Sequence, residues 1–227
     1  MSTRLSLALT ISLALFGGQS VFGDIIGGSA GFVNGDILDA PDNTVMSTIT
    51  ITESGSIEDI TVTIEGIEHT NVGDLIAELR FLGDNGPDEP AYLFFRPNVD
   101  GQDFLGSRSN FGDGQGGRGT YSFGSTGADL WEESAIGDEE DVPQQQYFTS
   151  DELGLPHDLG GSEFFEGFNT QGQWQLVITD ANDFGFNEGF VESWSIEFDA
   201  VVDAIPEPSS ALLIVCGAAA VASRRRR

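Results

Sequence analysis

Apolar and polar residues alternate with a period of two along several stretches of the chain. Val45, Ile49 and Ile51 fall on one side of the first stretch, with Thr48, Thr50 and Thr52 on the other. Beyond the segment Glu53-Ser54-Gly55-Ser56, Ile60, Val62 and Ile64 alternate with Thr61 and Thr63. Leu75, Ala77, Leu79 and Phe81 repeat the pattern, with Glu78 and Arg80 facing the other way, and residues 92–96 form a short aromatic candidate. Late in the chain Trp174, Leu176 and Ile178 share a face, as do Trp194, Ile196 and Phe198. Period two with β-branched and aromatic residues predicts half-buried strands. The Glu53–Ser56 segment predicts a hairpin turn. No stretch holds the 3.6 period through three helical turns. Short strands separated by turn signals predict an all-β, jelly-roll-like β-sandwich.

Residues 98–161 break the pattern. They are rich in Gly, Asp, Glu and Gln, as in FGDGQGGRGTYSFG and DEEDVPQQQ. Residues 119–123 are a strand candidate, and the remainder is expected to form long surface loops. Trp131, Tyr147 and Phe148 fall in this region. As exposed aromatics they would offer flat faces for sugars; as buried ones they would fill small satellite cores.

The two ends have a different composition. Arg4 precedes the apolar run LSLALTISLALF, and Val21-Phe22-Gly23 supplies a small residue for cleavage. A basic start, an apolar run too short to span a bilayer and a small-residue site predict a signal peptide over residues 1–23. At the other end, Pro206-Glu207-Pro208 precedes the apolar run ALLIVCGAAAVA and the cluster Arg224, Arg225, Arg226 and Arg227. Arginines after an apolar run stay on the cytoplasmic side and act as a membrane stop. These three ordered parts resemble a PEP-CTERM sorting signal over residues 206–227. The resemblance implies processing by exosortase and delivery to the cell surface or its exopolysaccharide matrix. Residues 24–205 are then the single domain between the two signals, long enough to bury a core.

Charge narrows the partners. The chain has 37 acidic and nine basic residues, no lysine and a formal net charge of −28. Residues 24–205 keep 36 of the acids against Arg80, Arg96, Arg108 and Arg118, a formal charge of −32. Nucleic-acid binding needs a basic footprint and is excluded. The carboxylates form a solvated acidic surface and also provide hard oxygen ligands for Ca²⁺. The one cysteine, Cys216, lies in the tail, so the domain has neither a disulfide nor thiol chemistry.

Candidate chemistry gathers at two loops. Asp74 follows Gly73 at a strand entry, and Asp180 ends the Trp174 strand, followed by Asn182, Asp183 and Gly185. Glu192 stands just before Trp194. Oxygen ligands at this spacing, with Gly for a turn, match part of a Ca²⁺ loop but lack the EF-hand spacing and its distal Glu. Ordinary Asp and Asn turn chemistry gives the same spacing. His69 and His157 are the two imidazoles. No Gly-x-Ser-x-Gly elbow is present, although Ser162 follows a Gly pair. A Ser-His-Asp mechanism needs nucleophile, base and acid in register, so His69 is expected to hydrogen-bond within the sandwich and orient the Asp74 loop.

Three segments, IEDITVTIEGIEHTNVGDL, FNTQGQWQLVITD and GFVESWSIEF, carry a second resemblance. They are similar in order to the P-domain (P/Homo B domain) of proprotein convertases and bacterial subtilisin-like proteases. The matching motifs are His69-Thr70-Asn71-Val72-Gly73-Asp74-Leu75, then Gly172-Gln173-Trp174-Gln175-Leu176 with Asp180, then the Trp194 strand. The resemblance runs from Asp36 to Asp199 and leaves the acidic loops unassigned. It implies a jelly-roll-like sandwich in which the Asp74 and Asp180 loops approach each other and hold Ca²⁺. A P-domain ordinarily stabilises an adjacent protease domain, and none is present in this sequence. A fold does not carry its activity with it. The expected role is therefore a non-catalytic surface or matrix module. Exopolysaccharide binding and service to a separately encoded exported serine endopeptidase are the alternatives.

Overall fold

A computed structural model describes residues 24–38, 43–83, 87, 91–97, 109–112, 117–134, 140–161, 164–182 and 189–202. The signal and sorting segments, Ser162 and Asp183 lie outside these residues. Two sheets face each other, and the expected all-β sandwich is what forms. One sheet contains β1 (Asp24–Gly31), β2 (Asp36–Ile37), β4 (Ser56–His69), β7 (Gly119–Gly124), β8 (Gln146–Ser150), β9 (Pro156–His157), β11 (Gly189–Phe190) and β12 (Ser193–Val201). The other has the order β3-β10-β5-β6, from Thr44–Ile51, Gly172–Asp180, Leu75–Phe81 and Ala91–Phe95. All strand pairs are antiparallel except β7 with β8. Helix is confined, among the described residues, to a 3-10 turn at Val72–Asp74 and α1 at Leu130–Glu133.

Alternation decides which side chains meet between the sheets. Ile49 and Ile51 of β3, Leu176 and Ile178 of β10, and Val62, Ile64, Ile196 and Phe198 of the larger sheet are all buried. The two buried tryptophans sit on facing strands. Trp174 packs against Phe198 and Phe81, each with ring centroids 4.9 Å away, and donates its indole N–H to Thr170 O at 2.9 Å. Losing so large a buried ring costs about 3–5 kcal/mol.

Two expectations are corrected. The Glu53–Ser56 segment is not a hairpin turn, because β3 pairs with β10 while β4 pairs with β12 and β7. The segment instead crosses from one sheet to the other. Its backbone partners come from the 169–171 stretch: Thr170 N–H donates to Gly55 O and Thr170 Oγ1 donates to Glu53 O. The 98–161 region is also not merely loop. It supplies β7, β8 and β9 to the larger sheet and buries Phe111, Tyr121, Phe123, Val142 and Tyr147. The strand candidate at 119–123 is β7, whereas dense Gly, Asp and Gln had concealed β8 and β9.

Tyr147 therefore serves the core rather than a sugar. Its ring is fully buried against Phe123 and Tyr121, and its hydroxyl donates to Pro143 O. Burial pushes its phenol up to about 12, opposed by the Gln145 amide and reinforced by the charge of Glu133. Trp131 and Phe148 are half-buried. Trp131 is the second residue of α1, where Asp129 Oδ1 accepts its backbone N–H at 2.8 Å and so caps the helix.

β4 carries the feature that creates the candidate site. Ile60, Val62 and Ile64 point inward at even positions, whereas Ile67 and His69 point inward at odd ones. The switch falls at Gly66, where the register with β7 shifts and the backbone takes φ +65. An extra residue in one strand of a pair flips the parity of everything beyond it. Without that bulge Glu68 would face the interior and His69 would face water.

Candidate functional site

His69 ends β4 and sits opposite Gly189 of β11. The next residues turn through Val72–Asp74 into β5, and Asp180 ends β10 directly opposite Leu75. This register brings the two sequence motifs together. His69 is 2% exposed, Asp74 and Asp180 are fully buried, and Asn182 is 8% exposed. The expected approach of the Asp74 and Asp180 loops is what the geometry shows.

The hydrogen bonds define the arrangement. His69 Nε2 lies 3.2 Å from Asp180 Oδ2, and the other carboxylate oxygen, Oδ1, accepts the Asn182 backbone N–H at 2.9 Å. An ionised carboxylate only accepts, so Nε2 carries a proton in the ion-paired or neutral ring alike. On the far side of the ring, Nδ1 faces Asn71, with its carbonyl at 3.0 Å and its N–H at 3.2 Å. Both ring nitrogens are thus engaged inside the protein. Asn182 Nδ2 donates to Asp74 Oδ1 at 3.1 Å, which ties the second carboxyl into the same network. Burial holds the Asp74 carboxyl above the usual carboxylate range. The Asn182 amide opposes that rise, the charge of Asp180 adds to it, and Asn71 and His69 oppose it.

Backbone bonds fix the loops around this network. Ala181 N–H donates to Asp74 O at 2.7 Å, and Asn43 grips Asp180 from both sides: its Nδ2 donates to Asp180 O and its carbonyl accepts Asp180 N–H. Arg96 leaves β6 with φ +38, unusual for a side chain-bearing residue. In that pose its N–H donates to Leu75 O and its Nε to Gly73 O, holding the turn that carries Asp74. Asn43, Asn71 and Arg96 were not singled out by the sequence. The asparagines stand beside strand ends, where such residues are common, and nothing in the spacing separated them from ordinary turns.

The five residues offered for Ca²⁺ are not all brought together. Asp74, Asp180 and Asn182 meet, while Asp183 lies outside the described residues. Glu192 does not join them: it is exposed between β11 and β12, where its backbone N–H donates to Glu65 O and its side chain lies over Gly66. The cause is register, since Ser193 pairs with Glu65 and only Gly189 reaches His69. A calcium site presents six to eight oxygens to one ion. Here both oxygens of Asp180 and one of Asp74 accept protein donors, and among the described residues no three His, Cys, Asp or Glu side chains are grouped to hold a metal. Among the described residues this network offers fewer oxygens than the six to eight of a calcium cage.

His157 stands elsewhere, with Nε2 2.7 Å from Tyr92 O and its ring against Phe164. A groove of about 760 Å³ lies at the other end of β4 between Ile25, Gly55, Asn169 and Val202. It contains no part of the histidine–carboxylate network.

No family model matches the chain, and no curated protein matches it. Among solved structures it is similar to the Aeromonas sobria serine protease in complex with the chaperone ORF2, at 16% identity and a TM-score of 0.38, over 79% of this chain and 28% of that chain. It is also similar to the serine protease of Aeromonas sobria alone, at 15% identity and a TM-score of 0.37, over 77% of this chain and 27% of that chain. The chain therefore spans less than a third of either protein.

Proposed function

We propose that this protein is an exported, non-catalytic β-sandwich of P-domain-like build that works as a binding or structural module at the cell surface or in its matrix. The observation that carries the reading is the inward His69–Asp180 pair. A catalytic histidine needs one nitrogen for its orienting acid and the other for a nucleophile. Here the second nitrogen faces the Asn71 backbone and the ring is fully buried. The pair is suited to joining the β4–β5 and β10–β11 connections. Export and sorting rest on residues 1–23 and on Pro206-Glu207-Pro208 with its arginines, and exosortase is the processing partner they imply.

The test is direct. The full chain is incubated with a fluorophosphonate serine probe and with casein. The expected result is neither labelling nor cleavage. Labelling that disappears in His69→Ala would contradict the reading. For the sorting route, loss of surface retention in a host lacking exosortase is expected, and unchanged retention would remove it.

Calcium attaches to the same loops as a secondary proposal. An ion there would have to displace the His69 and Asn182 donors from the carboxylates. A rise in melting temperature on Ca²⁺ titration, absent in Asp180→Asn, would carry it. An unchanged melting curve would leave a purely hydrogen-bonded latch.

A further inference from the structure

The outer faces of the two sheets differ in charge. On the larger sheet, alternation turns Asp59, Glu65, Glu197 and Asp199 outward, with Asp59 directly opposite Asp199. On the smaller sheet, β3 and β10 turn out only threonines and glutamines apart from Met46 and Val177. The one acid at an outward position of β5 is Glu78, and Arg80 neutralises it through two bonds of 2.7 and 2.6 Å. Among the described residues the β3–β10 part of this face is therefore uncharged in a chain of formal charge −28, and the acid nearest the β6 edge is Glu152, which hydrogen-bonds Tyr92.

Its chemistry is equally distinctive. Thr48 lies opposite Gln175 and Thr50 opposite Gln173, giving rows of hydroxyls and amides. Such groups both donate and accept, and strands space them at about 4.8 Å across the sheet and about 6.8 Å along it. Gln175 Nε2 donates to Thr48 Oγ1 at 3.4 Å and to Met46 Sδ at 3.7 Å, which turns its carbonyl oxygen to a ligand as an acceptor. Met46, 54% exposed, adds an apolar contact in the middle of the rows.

From the hydroxyl- and amide-bearing surface of β3 and β10, which presents no charged side chain, we infer that the outer face of the smaller sheet binds an uncharged polysaccharide. A hydroxyl-rich neutral chain meets donors and acceptors there and suffers no repulsion from the acidic body. An anionic polymer or a second copy of this chain would bring like charge against it. The inference rests on the reading of the protein as a binding module and assigns the ligand class and the surface.

Affinity electrophoresis of the full chain in gels containing dextran, laminarin, galactomannan or alginate tests it. Retardation by at least one of the three neutral polymers is expected, with little change between about 0.05 and 0.5 M salt because no charge pairing is involved. Thr48→Glu and Met46→Ala should each weaken it, the former by at least about tenfold, the energy of one or two lost polar contacts. Thr63→Glu, on the acidic face, should not. Circular dichroism melts of each variant check that the fold is kept, and Met46→Ala introduces no charge that could disturb it. No retardation by any neutral polymer, retardation by alginate alone, equal loss in Thr63→Glu, or a dimer in light scattering that Thr48→Glu dissociates would each overturn the assignment. A failure here without serine-probe labelling leaves the non-catalytic reading intact, whereas labelling would defeat that reading itself.

Discussion

The histidine–carboxylate cluster and the outer face of the smaller sheet are both made of hydrogen-bonding side chains, and both draw on β10. They differ in what those side chains face. Asp180 ends β10 fully buried, with its oxygens bound by His69 and Asn182. Gln175, five residues earlier, lies on the outer face with only long contacts to Thr48 and Met46. Burial makes a polar group a structural obligation, because leaving it unpaired costs far more than its bond contributes. Exposure leaves it free for a ligand at almost no cost to the fold. In this protein the residues that look most like chemistry are the ones best explained by stability.

The contrast can be broken by substitution, and the largest effect should fall in the cluster. Asp180→Ala leaves the His69 and Asn182 donors without their acceptor, and removing one member of a buried pair costs about 3–5 kcal/mol. Urea unfolding should show that loss. A change under about 1 kcal/mol, within the range of surface substitutions and weak pairs, would mean the cluster is not a latch. Next comes Gly66→Ala. Its φ of +65 suits glycine, and an added Cβ would stand 2.7 Å from the Glu192 side chain. The backbone strain alone predicts a loss of about 1–2 kcal/mol, again read by urea unfolding. Because the bulge also aims His69, this variant should lose stability without touching any member of the cluster.

A smaller effect concerns pH. The Asp74 carboxyl is raised above its value of 3.8 in the unfolded chain. Its protonation therefore favours the native state. That contribution is fully present below the unfolded value and is lost as pH rises through the raised native one. Relative to Asp74→Asn, the wild type should gain melting temperature as the pH falls from neutral towards 3.8. A difference between the two that is constant with pH would contradict the burial argument. The smallest stability effect belongs to the sheet face. Thr48→Glu, at an exposed position, should stay within about 0.5 kcal/mol of wild type while weakening the hold on a neutral polymer.

The sequence revealed most where alternation was long. The strands around Ile49, Leu79, Trp174 and Trp194 were readable because one buried face imposes period two. His69, Asp74 and Asp180 were also readable as members of one region, through the resemblance of their motifs. The connections were less legible. Glu53–Ser56 has hairpin chemistry, yet its neighbours along the chain pair with strands of different sheets, and pairing is decided by the whole core. The strand carrying Tyr121 and Phe123 was readable, but Tyr147 and its short strand were masked by the glutamines and acids around them. Glu192 was near the other ligands in motif order but not in register, and a parity flip such as that at Gly66 moves side chains across a sheet without any compositional signal beyond a glycine. The threonines of β3 were readable as the polar side of a strand, but their pairing with Gln173 and Gln175 came only from the register.

The division of labour between cluster and face can be read in one experiment, an amide-resolved NMR titration of the full chain with whichever neutral polymer retards it in the gels, dextran, laminarin or galactomannan. The account predicts shifts at Met46, Thr48, Gln173 and Gln175, and unchanged signals for His69, Asp74 and Asn182. Shifts centred on His69 and Asp74 with a silent β3 would contradict it.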